Sequence, residues 1–316
     1  MTALAERITE YRAGVTAIDV ALTRPQDDAV HLVVDGGRAA FVDTGTAHSL
    51  PVLLAALEAK DVDRADVDWV LTTHVHLDHA AGAGLLMRLL PNARCAAHPR
   101  GARHLVDPSQ LIAGSRQVFG EERYDRLYGE IAPIESSRVL PVEDGARIML
   151  GGRELELIHT PGHALHHYCI VDAANALVFS GDTFGLSYRD FDMDGRAFIF
   201  PTTTPVHFDP EALCRSVDRL MSYSPRSIFL THYAEVTELG RLADELKARV
   251  RAFADLGTRY RDAPDRASKL RRGMFAMIAG WLDAHGFPRD EGERHRLLDD
   301  DVELNCQGIE VWLDRK

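Results

Sequence analysis

Cysteine is scarce in this chain, and its distribution argues against a disulfide framework. The 316 residues include four cysteines whose intervals match no paired disulfide or zinc-thiolate spacing: Cys95, Cys169, Cys214 and Cys306. Free thiols are typical of proteins in a reducing compartment. We therefore expect a cytoplasmic protein.

Long apolar runs and a surplus of positive charge are also missing. No stretch of about 18 apolar residues occurs, and residues 1–7 lack the apolar segment of a secretion signal, so we expect no membrane partner. Lysine and arginine total 36 against 48 acidic residues, which gives a formal charge of −12. A chain this acidic is not expected to bind nucleic acid.

Two patterns of apolar residues divide the chain. Up to residue 234, short apolar runs of β-strand character alternate with helical stretches and turn signals. From Glu235 onward the apolar residues recur at helical spacing, as in Leu239, Leu242, Leu246, Val250 and Phe253. We predict an α/β catalytic domain over residues 1–234 and a helical cap over residues 235–316. Residues 98–135, which mix helical pieces with charges, are a candidate lid.

One short stretch concentrates metal-seeking side chains between a predicted strand and a predicted helix. Val70 and Leu71 end the strand, and His74, His76, Asp78 and His79 follow within eight residues of Leu71. Alternate residues of an extended turn point the same way, whereas adjacent residues diverge, so the stretch offers two pairs of ligands. Imidazole and carboxylate suit zinc, iron or manganese, and the thiolates of a structural zinc site are absent from this turn.

Three later segments share this layout, in which an apolar run precedes a metal-seeking residue. The three residues are His163, Asp182 and His232. In α/β folds, reactive groups gather on the loops that leave one edge of the strands. These residues could therefore converge with the histidine-rich turn.

The histidine-rich turn resembles the HxHxDH signature of the metallo-β-lactamase-fold metallohydrolases. Four further segments resemble motifs of that family: AFVDTG (residues 40–45), HTPGH (159–163), FSGDT (179–183) and FLTHY (229–233). The resemblance implies an α/β fold, a four-layer αβ/βα sandwich, with the helical segment appended at its C-terminal end. Asp43, within AFVDTG, would steady the ligand turn.

The same resemblance implies two divalent metal ions, zinc by default, with iron or manganese open. One metal would be held by His74, His76 and His163. The second would be held by Asp78, His79 and His232, with Asp182 bridging the two.

A dinuclear centre of this kind predicts a hydrolase that uses a metal-bridging hydroxide. We expect it to cleave an ester-like bond of a small molecule: an ester, a thioester or a lactone. Phosphodiesterase activity, an iron-dependent persulfide dioxygenase and a signalling protein are the alternatives. The chain also resembles glyoxalase II in its helical C-terminal part, but residues 185–189 replace that family's glutathione-binding segment, which argues against glutathione thioesters.

Several further residues are candidates for more specific roles. Asp78 is expected to serve catalysis as well as metal binding, and Tyr188 or His207 could supply a proton to the leaving group. One of His166 and His167 could orient a ligand, although a hydrogen-bonded hairpin entry is the simpler interpretation. We expect a substrate-pocket wall from the aromatic residues Phe184, Tyr188, Phe191, Phe198 and Phe200. The helical cap could form a homodimer face with Met274, Met277 and Trp281.

Replacing one ligand should separate folding from function. We expect His76→Ala and Asp182→Ala to abolish metal-dependent turnover while leaving the protein folded. The measurements are turnover and the circular dichroism spectrum of each purified variant. Normal turnover in His76→Ala would remove the ligand assignment.

Overall fold

Two β-sheets lie face to face, with helices on both outer surfaces. The computed structural model describes residues 4–288 and 290–315. Within that range the first sheet has seven strands in sequential order: β1 (Ile8–Glu10), β2 (Val15–Asp19), β3 (Ala29–Asp35), β4 (Arg38–Val42), β5 (Val67–Leu71), β6 (Arg94–Ala97) and β7 (Val139–Pro141). The first four strands are antiparallel, and the strands from β4 to β7 run parallel to one another.

The second sheet has six strands in the described part of the chain and the order β13-β12-β11-β10-β9-β8. Their bounds are β8 (Ala146–Leu150), β9 (Arg153–His159), β10 (Tyr168–Asp172), β11 (Leu177–Gly181), β12 (Ser227–Leu230) and β13 (Ala234–Val236). The pair β11–β12 is parallel, and the other pairs are antiparallel. β11 and β12 therefore end at the same edge of the sheet.

Helices connect and cover these sheets. They are α1 (Leu4–Arg7), α2 (Leu50–Ala59), α3 (Leu77–Ala80), α4 (Ala83–Leu89), α5 (Pro99–Val106), α6 (Ser109–Phe119), α7 (Glu121–Tyr128), α8 (Pro210–Ser222), α9 (Leu239–Tyr260), α10 (Arg266–His285) and α11 (Glu291–Asp314). Helices α2 and α4 pack on the first sheet in one apolar cluster. Helices α8, α9, α10 and α11 pack on the second sheet in another. The predicted four-layer sandwich with a C-terminal helical segment is confirmed.

The strands of the first sheet are buried on both faces because their apolar residues alternate between two cores. Leu32, Phe41 and Val70 pack outward in the cluster that includes α2 and α4. Their neighbours Val33, Val42 and Leu71 instead pack inward against the second sheet. This period-two alternation explains why the sequence reads as nearly continuous apolar runs.

The chain from residue 235 onward departs from the prediction in one detail. No strand was expected after Tyr233, yet β13 pairs with β12 and spans the proposed domain boundary at residues 234 and 235. The division into two domains stays a prediction. The helical cap consists of α9, α10 and α11, and Met274 is fully buried in it, so this methionine does not contribute to an exposed homodimer face.

The turn that carries the histidines is shaped by close backbone packing. After β5 the chain passes through α3 and then α4, with Gly82 between them, where the sequence predicted one helix. A Cβ atom on Gly82 would lie 2.8 Å from the carbonyl oxygen of Thr46. Glycine allows the loop after β4 to approach this turn, which brings Asp43 next to the ligand residues.

Among the described helices, none combines the length and apolarity needed to cross a bilayer.

A buried histidine between the sheets should make stability depend on pH. His31 lies 5.5 Å, ring to ring, from both Phe179 and Phe229, and burial lowers its pKa to about 3. In the unfolded chain the pKa of His31 is 6.5, so this residue binds a proton there that it does not bind in the folded chain. The free energy of unfolding therefore falls as the pH drops from 6.5 toward 3. In the parent protein, we expect the free energy of unfolding to fall by on the order of 2 kcal/mol between pH 6.5 and about pH 5 because of His31. His31→Leu should remove this part of the pH dependence.

Urea unfolding at a series of pH values measures this effect. The exposed His48 provides the control, and His48→Leu should leave the pH profile of the parent protein unchanged. A parent-like profile in His31→Leu would show that His31 does not carry this dependence.

Candidate metal centre

Seven side chains that the sequence analysis named as ligands come together at one edge of the two sheets. Each follows the end of a strand or lies in the loop between two strands, so that the parallel strand ends place them side by side. The residues are His74, His76, Asp78 and His79 after β5, His163 between β9 and β10, Asp182 after β11, and His232 after β12.

The first cluster consists of His74, His76, His163 and Asp182, whose ligand atoms all lie within 4.8 Å of one another. His163 Nε2 lies 3.3 Å from His74 Nε2 and 3.0 Å from His76 Nδ1. The same nitrogen is 3.3 Å from Asp182 Oδ2.

The second cluster consists of Asp78, His79 and His232. Asp78 Oδ2 lies 3.4 Å from His79 Nε2 and 3.5 Å from His232 Nε2. The other carboxylate oxygen of Asp182, Oδ1, is 3.2 Å from His79 Nε2 and 3.5 Å from His232 Nε2. One oxygen of Asp182 therefore faces each cluster, which is the arrangement expected of a bridging ligand.

The spacing of the ligand atoms suits bound metal ions better than hydrogen bonds between the ligands. His79 Nε2 and Asp182 Oδ1 are buried and have no hydrogen-bond partner among the described residues. Two ligands on a tetrahedral zinc ion, with bonds of about 2.0–2.1 Å, are about 3.3–3.4 Å apart, close to the spacing observed here. The imidazole and carboxylate set therefore fits divalent cations.

Three of the ligand histidines are held in position by hydrogen bonds at the ring nitrogen that faces away from the clusters. The Nδ1 atoms of His79, His163 and His232 lie 2.8 Å from Asp43 Oδ2, 3.3 Å from the Thr202 carbonyl and 3.0 Å from the Asp27 carbonyl, respectively. When Nε2 of such a ring binds a metal ion, the ring keeps its proton on Nδ1 and donates it to these acceptors. The rings are thus preset as ligands by their neighbours.

Asp43 connects three parts of the centre. Its carboxylate accepts hydrogen bonds from the Thr73 backbone N–H at 2.8 Å and from the Thr231 hydroxyl at 3.0 Å, in addition to the bond from His79. These partners belong to the ligand turn and to the loop that carries His232. Asp43 therefore steadies the turn, as the sequence analysis expected, and also joins the two sheets.

His167 acts on the backbone next to Asp182. It is buried, its Nε2 accepts from the Asp182 N–H at 3.2 Å, and its Nδ1 donates to the Thr160 hydroxyl at 2.9 Å. A Cβ on Gly181 (φ +47°) would lie 2.7 Å from His167 Nε2, so glycine is required for this contact. His166 is half-buried and lines the cavity above the centre.

Two acidic residues at the site, Asp28 and Asp301, were not predicted from the sequence. Asp28 Oδ1 lies 2.5 Å from His232 Nδ1, and burial raises the pKa of Asp28 to about 7 despite the opposing effect of His232. Two consecutive aspartates before a predicted strand, Asp27 and Asp28, were the available signal. Asp301 lies in the helical cap, where no motif marked it.

Buried charges of both signs shape the electrostatics of the centre. Burial alone would raise the pKa of Asp182, but His79, His163 and His232 hold it well below its usual range. Burial alone would lower the pKa of His79, but Asp182, Asp78 and Asp43 raise it well above its usual value. The carboxylates therefore stay ionised and can serve as ligands.

A cavity of about 1060 Å³ opens above the two clusters. His76, Asp78, Asp182 and His232 lie among its lining residues. Side chains of α5, α6 and α7 form one wall, and α11 of the helical cap forms another. The candidate lid at residues 98–135 therefore covers the centre as expected.

Tyr188 and His207 also line this cavity, but neither ring is placed among the metal-seeking clusters. The Tyr188 hydroxyl donates to Asp301 Oδ1 at 3.2 Å, and its ring lies 6.3 Å from that of His232. His207 packs 5.6 Å from His166, ring to ring. The roles of both residues as proton donors stay predictions.

The expectation of an aromatic pocket wall after Asp182 was largely wrong. Of the five aromatic residues, the structure places Tyr188 on the cavity. The other four are fully buried in the core that joins the second sheet to the cap helices: Phe184, Phe191, Phe198 and Phe200. The cap covers these rings, and the sequence alone could not show which helix would pack on them.

Residues 26–232 match the metallo-beta-lactamase superfamily. The chain belongs to this superfamily. A metallo-beta-lactamase fold-containing protein of Sulfurisphaera tokodaii is 25% identical over 214 residues, which cover 66% of this chain and 73% of that protein. A hydroxyacylglutathione hydrolase of Acidiphilium cryptum is 35% identical over 191 residues, which cover 59% of this chain and 62% of that enzyme. An acyl-coenzyme A thioesterase of Gallus gallus is 30% identical over 115 residues, or 35% of this chain and 40% of that enzyme.

Solved structures extend the likeness in fold to nearly the whole chain. A superfamily member from Thermus thermophilus aligns with a TM-score of 0.67 at 23% identity, over 96% of this chain and 93% of that one. An archaeal member from Sulfolobus tokodaii aligns with a TM-score of 0.66 at 19% identity, over 95% and 99%. Together with the thioester-cleaving relatives, the superfamily membership makes this chain a metal-dependent hydrolase.

Asp43 offers a test of how the ligand turn is held. Asparagine tolerates the left-handed backbone of this position (φ +60°), but its single acceptor oxygen cannot replace both carboxylate oxygens, which accept from Thr73 N–H and His79 Nδ1. We expect Asp43→Asn to weaken zinc binding about 10- to 100-fold, as measured by calorimetric titration of the metal-free protein.

Asp218→Asn removes an exposed carboxylate that pairs with Lys247 outside the centre, and it should bind zinc like the parent protein. Circular dichroism spectra would verify that both variants are folded. Parent-like zinc affinity in folded Asp43→Asn would show that His79 does not depend on Asp43.

Proposed function

We propose that this hydrolase cleaves an ester-like bond of a small molecule, with thioesters as the preferred class, at a centre of two divalent metals. The observation that carries the proposal is the placement of Asp182, whose two carboxylate oxygens each face one cluster of ligands. Both clusters lie on the floor of a cavity of about 1060 Å³, at the upper end of the range for small-molecule sites.

The charge of the ligand set suits a carbonyl substrate. Five neutral histidines and two carboxylates carry −2, so two dications leave about +2 at the centre of a protein with a formal charge of −12. Bound metals would make a water nucleophilic near neutral pH and polarise the acyl oxygen. The chain itself supplies the orientation of the ligands and the exclusion of bulk water by α5 to α7.

Hydrolysis of a thioester joins a water oxygen to the acyl carbon, breaks the carbon–sulfur bond and leaves a proton with the departing thiol. A thiol has a pKa of about 8.5, so a thiolate leaves with little need for a positioned acid. An alkoxide needs a proton much more, and the Tyr188 hydroxyl already donates its proton to Asp301. This comparison favours thioesters over simple esters and lactones.

The Tyr188 hydroxyl on the cavity wall donates its proton to Asp301, and its oxygen can still accept a hydrogen bond. Burial, with the nearby Asp301, raises the pKa of Tyr188 well above its usual value, so its hydroxyl stays protonated. Burial, together with Arg315 and Arg100, lowers the pKa of His207, which keeps that ring neutral near pH 7. We therefore assign Tyr188 to accepting a hydrogen bond from a polar group of the substrate, and we regard His207 as a weaker candidate for a proton donor.

The relatives support a thioester substrate through their printed activities, which include a hydroxyacylglutathione hydrolase and two thioesterases. The alignments cover 62%, 40% and 40% of those enzymes. Phosphodiester cleavage remains a second candidate because two metals sharing a carboxylate also suit phosphoryl transfer. The persulfide dioxygenase alternative requires one iron and oxygen instead.

Metal analysis followed by a substrate panel tests the proposal. We expect protein purified without added metal to hold about two equivalents of zinc, iron or manganese per chain, in keeping with a dinuclear centre. Thioesters should be hydrolysed faster than matched esters, lactones or phosphodiesters. A chelator should abolish this hydrolysis, and added metal should restore it.

Asp182→Ala serves as the inactive control in each assay. Faster cleavage of a phosphodiester than of any thioester would show that the protein is a phosphodiesterase. One iron per chain with oxygen uptake in the presence of a persulfide would support the dioxygenase and overturn the hydrolytic proposal. Turnover that continues after the metal has been removed would show that catalysis does not depend on a metal.

A further inference from the structure

The lid helix α6 contributes several apolar side chains to the cavity lining. Its eleven residues include Leu111, Ile112, Val118 and Phe119, yet none of the eleven is fully buried. The residues of α6 that line the cavity recur at helical spacing, in the pairs 110 and 111, 114 and 115, and 118 and 119. Leu111 and Phe119 are only partly covered by the apolar cluster around Tyr124 and Tyr128, and both also line the cavity. Val118, between them in the cavity lining, is exposed.

Other exposed apolar groups gather around the same cavity. Among the described residues, four large apolar side chains are clearly exposed, and three of them line the cavity: Val118, Leu165 and Val206. The fourth, Met149, lies elsewhere. Because large apolar side chains on a cavity rim are typical of a site for an apolar ligand, this clustering indicates that part of the substrate is apolar.

Helix α5 adds positive charge to the rim next to α6. Arg100 and Arg103 line the cavity, are exposed and lie about one turn apart, so they share a face of the helix. Within the described chain, no carboxylate oxygen comes within 4.0 Å of either guanidinium group. The other arginines of the lining do have acidic neighbours, such as Asp300 at 2.9 Å from Arg123.

We propose that the substrate is an acyl thioester with an apolar chain, which lies under α6, and a phosphate-bearing carrier, which Arg100 and Arg103 bind. This inference rests on the proposed hydrolase function and specifies its substrate class. Two guanidinium groups one turn apart can share the oxygens of a doubly charged phosphate through charge-assisted hydrogen bonds. The acyl carbon would lie between these two regions, above the ligand clusters.

A comparison of two carriers tests the binding of the charged group. Octanoyl-coenzyme A carries phosphates, and octanoyl-N-acetylcysteamine presents the same thioester without them. In the metal-loaded protein, the double variant Arg100→Gln/Arg103→Gln should raise KM for the coenzyme A thioester about tenfold, because charge-assisted bonds are lost. KM for the neutral thioester and kcat for both substrates should stay near the parent values.

Two exposed arginines of the helical cap provide the matched control, since they lie outside the cavity lining: Arg251 and Arg272. The double variant Arg251→Gln/Arg272→Gln removes the same charge and should leave both KM values unchanged. An equal rise in KM for both thioesters in the α5 variant, or an equal effect of the control, would overturn the role of Arg100 and Arg103.

A glycine on the cavity-lining side of α6 allows the acyl-chain site to be tested separately. Gly114 lines the cavity, and a Cβ there would meet no atom within 4 Å, so a larger side chain can project into the open space. We expect Gly114→Leu to reduce kcat/KM for dodecanoyl thioesters about tenfold relative to acetyl thioesters, because the leucine occupies space used by the longer chain.

Gly280 of α10 is the matched control. It too has no atom within 4 Å of a built Cβ, and it lies outside the cavity lining, so Gly280→Leu should keep the parent preference for chain length. An unchanged preference in Gly114→Leu would overturn the acyl-chain site. Failure of the metal-loaded parent to cleave any thioester would instead overturn the proposed function itself.

Discussion

The burial of two carboxylates, Asp43 and Asp182, at the shared edge of the sheets governs the organisation of this protein. An ionised carboxylate away from water is unfavourable unless it has compensating partners. Asp43 obtains them from Thr73, Thr231 and His79. Asp182 is surrounded by imidazole nitrogens of both clusters. The requirement to compensate these charges draws separate strand ends together, and the same charges attract metal ions.

The helical cap takes part in the site instead of forming an independent appendage. Asn305 of α11 accepts a hydrogen bond from the Thr203 backbone N–H at 2.5 Å. The adjacent Thr202 carbonyl accepts the Nδ1 proton of His163, so the cap supports a loop that orients a ligand histidine. Asp301 of the same helix holds the hydroxyl of Tyr188 on the cavity wall. The cap and the sandwich therefore form the cavity together.

Local sequence patterns were sufficient for the parts of the fold that depend on short-range chemistry. The histidine-rich turn, the strand before it and the later positions His163, Asp182 and His232 could be selected because apolar runs precede metal-seeking residues. The period-two alternation in β3 and β4 likewise follows from burial on both faces. The aromatic residues after Asp182 could not be placed in this way, since a phenylalanine in a core and one in a pocket wall have the same local pattern.

The sequence by itself determined the fold family, the seven metal-seeking residues and the helical character of the C-terminal part, because these depend on residue type and spacing. Only the tertiary structure decided that Asp43 joins the ligand turn to Thr231, that Asp28 pairs with His232, and that Val118, Leu165 and Val206 gather around the cavity. These relations join segments that are distant in the chain. They depend on how sheets and helices pack together, and no local pattern of residues encodes that packing.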